Sequence, residues 1–177
     1  MITTLKGDIT GLDFDMIVNP ASSSLMPQPG LCSQIFSKAG KGLVDECISL
    51  KGCEMTQAKI TKAYDLPSHF IVHVAMPVFI DSKEEESELL EACYWNALAC
   101  AYGFVFAQKR KECTLAFPIL GYEQGFDKRK ACHIAVNTIQ RLFREYPDAK
   151  IIHVIFVCDD QENYSYIKEE LHYAFHG

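Results

Sequence analysis

The sequence predicts an α/β protein, a three-layer α/β/α sandwich built around a mostly parallel sheet. Three observations carry that expectation. Short apolar or alternating segments recur between longer segments whose apolar residues repeat at helical spacing. The longer segments run about ten to twenty residues, the length of crossover helices between parallel strands. One segment, residues 151–158, is almost wholly apolar, the pattern of a strand covered on both faces.

Taken in order, residues 2–6 form a first strand candidate, followed by the turn-like Gly7-Asp8-Ile9-Thr10-Gly11. Residues 15–19 are a second strand, and Pro20 biases Asn19 towards an extended backbone. A loop rich in Ser and Pro follows, residues 19–30, and a short helix opens near Leu31. Residues 40–50 read as a second helix stopped by Gly52, with Leu43, Cys47 and Leu50 on one face. Residues 58–63 alternate as a half-buried strand, and residues 70–75 form a more continuous apolar strand ended by Pro77. The acidic residues 81–88 start a long helix, 85–108, whose Leu89, Leu90, Cys93, Ala97, Leu98 and Ala101 make one stripe. A strand at 113–118, a Gly-containing loop at 121–127 and a helix at 128–146 come next. In that helix Ala131, Ile134, Ala135, Thr138 and Leu142 are expected to face inward. The apolar strand 151–158 and a closing helix, 160–175, complete the chain.

The 177 residues fit a single domain, and an apolar share of 49% supplies a sizeable core. A net charge of −6 argues against a duplex nucleic-acid partner, which would need a basic face. No apolar run approaches the ~20 residues of a membrane span and no signal peptide is recognised, so a soluble, cytoplasmic protein without a membrane partner is expected. Eight cysteines are present, and no two have the spacing of a zinc knuckle. They are expected to be reduced core thiols, with neither metal nor cofactor. His69 and His73 lie on a strand, where a four-residue spacing does not make a shared metal face.

Two loops join a strand to a helix at the ends where open α/β sheets bind ligands, residues 19–30 and 121–127. A small-residue loop opening onto a helix N-terminus suits an anion. Pro20, Pro27 and Pro29 stand where a phosphate-cradling loop would favour glycine.

An ordered series of short motifs makes the likeness specific. It comprises Leu5-Lys6-Gly7-Asp8-Ile9-Thr10, Asp15-Met16-Ile17-Val18-Asn19, Ser23-Ser24-Leu25 and Gly30-Leu31 with Ile35 and Ala39-Gly40. Ala58-Lys59-Ile60-Thr61, Leu66-Pro67, Ile71-Val72-His73 and Leu89-Leu90 with Asn96-Ala97-Leu98 follow, then Ala116-Phe117-Pro118, Gly125-Phe126 and Phe156-Val157. Over nearly its whole length the chain resembles a macrodomain, the ADP-ribose-binding module. The resemblance implies a mixed, roughly six-stranded sheet, with ADP-ribose or a derivative bound at its strand ends, free or linked to a protein.

By the same resemblance, Asp8 would accept a hydrogen bond from the adenine amino group, with the Ile9 backbone beside it. Asn19 would lie near the distal ribose, Gly30 and Leu31 would end the first phosphate loop, and the second loop would run through Gly121, Tyr122, Glu123, Gln124, Gly125 and Phe126. There backbone N–H groups would face phosphate and an aromatic ring would flank the ribose. Each has a plainer reading: a turn Asp after Gly7, an Asx turn before Pro20, and turn glycines. Departures from the family pattern stand beside these matches. Ser22 replaces the second Asn, which is important in the family's hydrolases, and Cys32 replaces an Asp of active members. Pro29 removes a donor and a hinge from the first loop, and Asp159 falls where an aromatic ring often stacks on adenine. Binding of ADP-ribose is the favoured expectation. Hydrolysis of an ADP-ribosyl bond or deacetylation of O-acetyl-ADP-ribose, and recognition of another ligand or a protein partner by a drifted member, are the alternatives.

Overall fold

The computed structural model describes residues 1–176. Its strands are β1 (Ile2–Lys6), β2 (Met16–Ala21), β3 (Ala58–Lys62), β4 (Phe70–Ala75), β5 (Cys113–Phe117) and β6 (Ile152–Cys158). Its helices are α1 (Leu31–Ala39), α2 (Lys41–Ser49), α3 (Glu84–Ala107), α4 (Lys128–Glu145) and α5 (Gln161–His176). The six strands form one sheet in the order β1-β6-β5-β2-β4-β3. Every neighbouring pair is parallel except β3 with β4, so the sheet is mixed and mostly parallel, as the sequence predicts.

Strand alternation divides the core into two layers. Met16 and Val18 of β2, Val72 and Val74 of β4, and Leu115 and Phe117 of β5 face one side. There they meet Leu90, Tyr94, Leu98 and Ala101 of α3 and Ala131, Ala135 and Ile139 of α4. Ile17, Ile71 and Ala116, one residue out of phase, face the other side against Ile35 and Phe36 of α1 and Leu43 and Cys47 of α2. The period-two pattern thus sorts each strand's side chains between the helical layers.

The second strand runs two residues further than the sequence suggests, through Pro20 to Ala21. The Ala21 carbonyl accepts from Met76 N at 2.8 Å on the β4 side. Alternation turns Pro20 towards β5, but the β2–β5 ladder covers only Met16 and Ile17. No backbone donor is required at Pro20, so proline is tolerated in a central strand.

Helix α3 corrects another expectation. Its 24 residues include a window with mean hydropathy of 1.2, which makes it long and apolar enough to cross a membrane by length and composition. One face of it is packed in the core, with Leu90, Cys93, Tyr94, Ala97, Leu98, Ala101 and Val105 buried. Its first turn carries Glu84, Glu85 and Glu86, charges that complement the positive end of the helix.

Candidate functional site

A cleft of about 270 Å³ opens at the carboxyl ends of β1, β5 and β6. Gly7, Asp8 and Ile9 line it beyond β1, and Leu31 and Gln34 of α1 form another wall. Pro118, Ile119, Tyr122 and Glu123 follow β5, while Val157, Cys158, Asp159 and Asn163 carry the lining from β6 into α5. Asp8, Glu123 and Asp159 are its charged lining residues, so its walls bear negative charge.

The Gly7 N–H donates to the Cys158 carbonyl at 2.9 Å, which ties the end of β1 to β6 and sets the turn that carries Asp8. The Asp8 carboxylate accepts from Thr10 N at 2.9 Å and Thr10 Oγ1 at 2.6 Å, and its other oxygen lies 2.9 Å from Lys38 Nζ of α1. The Thr10 hydroxyl and then Lys38 hold its pKa down at about 2. The carboxylate is therefore ionised and fixed, yet its side chain is 54% exposed and open to a ligand. Ile9 is buried and joins the α1 side of the core.

The first loop folds back on β2, where Gln28 Nε2 donates to the Pro20 carbonyl at 3.2 Å. It reaches α1 through Gly30, whose φ of 96° favours glycine. The second loop hangs from Tyr94 of α3, whose buried hydroxyl accepts the Leu120 N–H at 2.7 Å. Inside that loop Gln124 N and Phe126 N donate to the Gly121 carbonyl and Gly125 N donates to the Tyr122 carbonyl. The N–H groups of Gln124, Gly125 and Phe126 are thus bonded within the loop, around a 3₁₀ turn, Tyr122–Gln124. Phe126 turns inward as well: it is 3% exposed and meets Phe79 edge-on at 5.0 Å. Tyr122 is the aromatic residue of this loop that lines the cleft.

Beneath the first loop lies a buried polar knot. The Thr61 hydroxyl donates to the Lys62 carbonyl at 2.9 Å, so towards His73 Nε2, also at 2.9 Å, it acts as acceptor. His73 then carries its proton on Nε2, and Nδ1 accepts from Asn19 Nδ2 at 3.0 Å. The same amide nitrogen lies 3.6 Å from Cys32 Sγ. Asn19 Oδ1 is left buried without a hydrogen-bond partner among the described residues. Asn19 is 0% exposed and sits below the cleft rather than on its wall.

The two residues that depart from the family pattern fall nearby. Cys32 is buried, and burial pushes its thiol pKa up despite the Asn19 amide beside it. The thiol is thus protonated at neutral pH and a poor nucleophile. Ser22 bonds through Oγ to Ser24 Oγ at 2.8 Å, outside the cleft lining. Among the predicted site residues, the structure brings Asp8, Ile9, Leu31, Tyr122 and Glu123 onto one cleft, with Gly30 packed against Glu123. Gly121, Gln124 and Gly125 shape the second loop from outside the lining.

The sequence reading missed Asn163. It is 1% exposed, and Asp160 accepts its N–H at 2.7 Å and its Nδ2 at 2.8 Å. Its Oδ1 has no hydrogen-bond partner among the described residues, beside a cleft it helps to line. The spacing Asp160-x-x-Asn163 was the available signal, since a side chain three residues before a helical amide is a capping arrangement. Tyr164 and Tyr166, by contrast, pack partly buried against the core.

The topology and the cleft define an α/β module with an open cleft at its strand ends, where such sheets bind ligands, walled by two loops. The Macro domain family model matches residues 18–135, and the chain belongs to that family. A macro domain-containing protein of Listeria monocytogenes serotype 4b is 38% identical over 168 residues, covering 92% of each chain. An ADP-ribose glycohydrolase of Xenopus laevis is 32% identical over 98% of this chain, which spans 40% of that protein. Among solved structures, a mutant of the Oceanobacillus iheyensis macrodomain with ADP-ribose is similar at a TM-score of 0.84 and 28% identity, over 99% of this chain and 93% of that one. The macrodomain from the same organism with ADP is similar at a TM-score of 0.83.

Proposed function

We propose that this macrodomain binds ADP-ribose, free or attached to a protein, with the adenine at the Asp8–Ile9 end of the cleft and the diphosphate running between the loops. The observation that carries the reading is Asp8: a carboxylate held ionised by Thr10 and Lys38, yet open on the cleft wall. Such a group accepts from an exocyclic amine without reorganising, so its hydrogen bond is not offset by an ordering cost. The ligands held by the similar macrodomains of Oceanobacillus iheyensis, ADP-ribose and ADP, support the choice of ligand. Isothermal titration calorimetry with ADP-ribose tests it. The wild type gives saturable heat, and Asp8→Ala loses a charge-assisted hydrogen bond of about 1.5–3 kcal/mol, a roughly ten- to hundredfold loss of affinity. Absence of heat from the wild type at millimolar ligand would overturn the reading.

Hydrolysis of an ADP-ribosyl bond is the second reading, favoured by the name of the Xenopus relative. Against it stand a protonated Cys32, Ser22 outside the cleft lining and Asn19 sequestered by His73. Release of ADP-ribose from a modified protein above a boiled control would establish it; equal release would remove it.

A further inference from the structure

We propose that Glu123 is an internal stand-in for a ligand phosphate, seated on the N-terminus of α1, and that it lowers the affinity of the cleft for diphosphates. The inference rests on the ADP-ribose reading of the cleft and goes beyond it by naming the residue that opposes the ligand.

The second loop projects the Glu123 carboxylate across the cleft to the first. Its two oxygens lie 3.3 and 3.4 Å from Leu31 N, the first amide of the nine-residue helix α1. The approach is close on the neighbouring residue too: a Cβ on Gly30 would come within 2.8 Å of Glu123 Oε2. A carboxylate therefore already fills the place where a positive helix end would meet a phosphate. Asp159 adds a further negative charge to the same cleft, and burial followed by Asp159 raises the Glu123 pKa against the Leu31 hydrogen bond. An entering diphosphate must displace this carboxylate from Leu31 or lie against it, and each course weakens binding. A nucleoside without phosphate, held at the Asp8 end, meets neither obstacle.

The test is calorimetric titration of wild type, Glu123→Gln and Glu123→Ala with ADP-ribose, ADP and adenosine. The Gln variant keeps the shape and a weak acceptor for Leu31 N–H, while the Ala variant empties the seat. Circular dichroism and thermal melts confirm that both fold. The expected result is a tenfold or greater gain in affinity for ADP-ribose and ADP in both variants, with adenosine changed less than about twofold. Variants that bind ADP-ribose no tighter than a binding wild type overturn this inference and leave the ADP-ribose reading standing. An equal gain for adenosine also overturns it, because the substitution would then act by opening the cleft in general. If neither the wild type nor the variants bind ADP-ribose at millimolar concentration, the ADP-ribose reading falls and this inference falls with it.

Discussion

Protonating His73 would place a charge between Asn19 and Thr61, beside the Cys47 thiol, where burial leaves no water to solvate it. Burial lowers its pKa from 6.5 to about 4, so the folded state takes up a proton less readily than the unfolded chain. A depressed histidine pKa contributes stability that is fully present above 6.5 and is lost as pH falls towards 4. The loss amounts to about 3 kcal/mol across that window, at 1.36 kcal/mol per pKa unit. Denaturant unfolding between pH 8 and 4 should show this slope in the wild type and lack it in His73→Gln; parallel slopes would contradict the assignment. Sequence revealed His73 only as a strand residue beside Ile71 and Val72. Its strand partners Asn19 and Thr61 come from β2 and β3, which pair on either side of β4 and so bring both side chains to His73. That adjacency is tertiary, so spacing along the chain does not display it.

At the scale of elements, α3 both supports the sheet and holds the second loop. Tyr94 is fully buried between Phe117 at 5.4 Å and Phe156 at 6.3 Å, and its hydroxyl takes the Leu120 N–H just before the loop begins. Tyr94→Phe keeps the ring and leaves a buried N–H unsatisfied, which costs about 1–3 kcal/mol. Chemical denaturation measures that loss, and hydrogen exchange at Leu120 should quicken at the same time. Unchanged stability and exchange would mean that the loop does not depend on this anchor. The helices themselves were legible because their apolar residues recur at helical spacing, and the observed ends of α2, α3 and α4 fall within one or two residues of the expected ones. The second strand was less legible: Pro20 ordinarily marks a strand's end, and only the early divergence of β5 lets β2 continue to Ala21. In the second loop the glycines signalled a turn, and the structure has one there: a Cβ on Gly125 would come within 2.6 Å of the Phe79 carbonyl oxygen, and the Gly125 N–H closes the loop on Tyr122.

For the whole molecule, sheet order is what makes a site from residues far apart in sequence. The order β1-β6-β5 sets the ends of three strands side by side, so Asp8, Glu123 and Asp159 share one cleft. The motif series legibly placed both loops at the strand ends. The direction in which Glu123 reaches, and the burial of Asn19 and Phe126, depend on how the loops close against α1 and β4. A residue's position in a motif therefore placed it near the cleft without fixing what its side chain touches. The central claim, that this cleft receives ADP-ribose, is tested most directly by an amide-resolved NMR titration of the wild type with that ligand. Saturable shifts should concentrate at Asp8, Ile9, Leu31, Tyr122, Glu123 and Asp159. Shifts centred instead on the separate groove of Ile2, Phe143 and Arg144, or no shifts at millimolar ligand, would contradict the account.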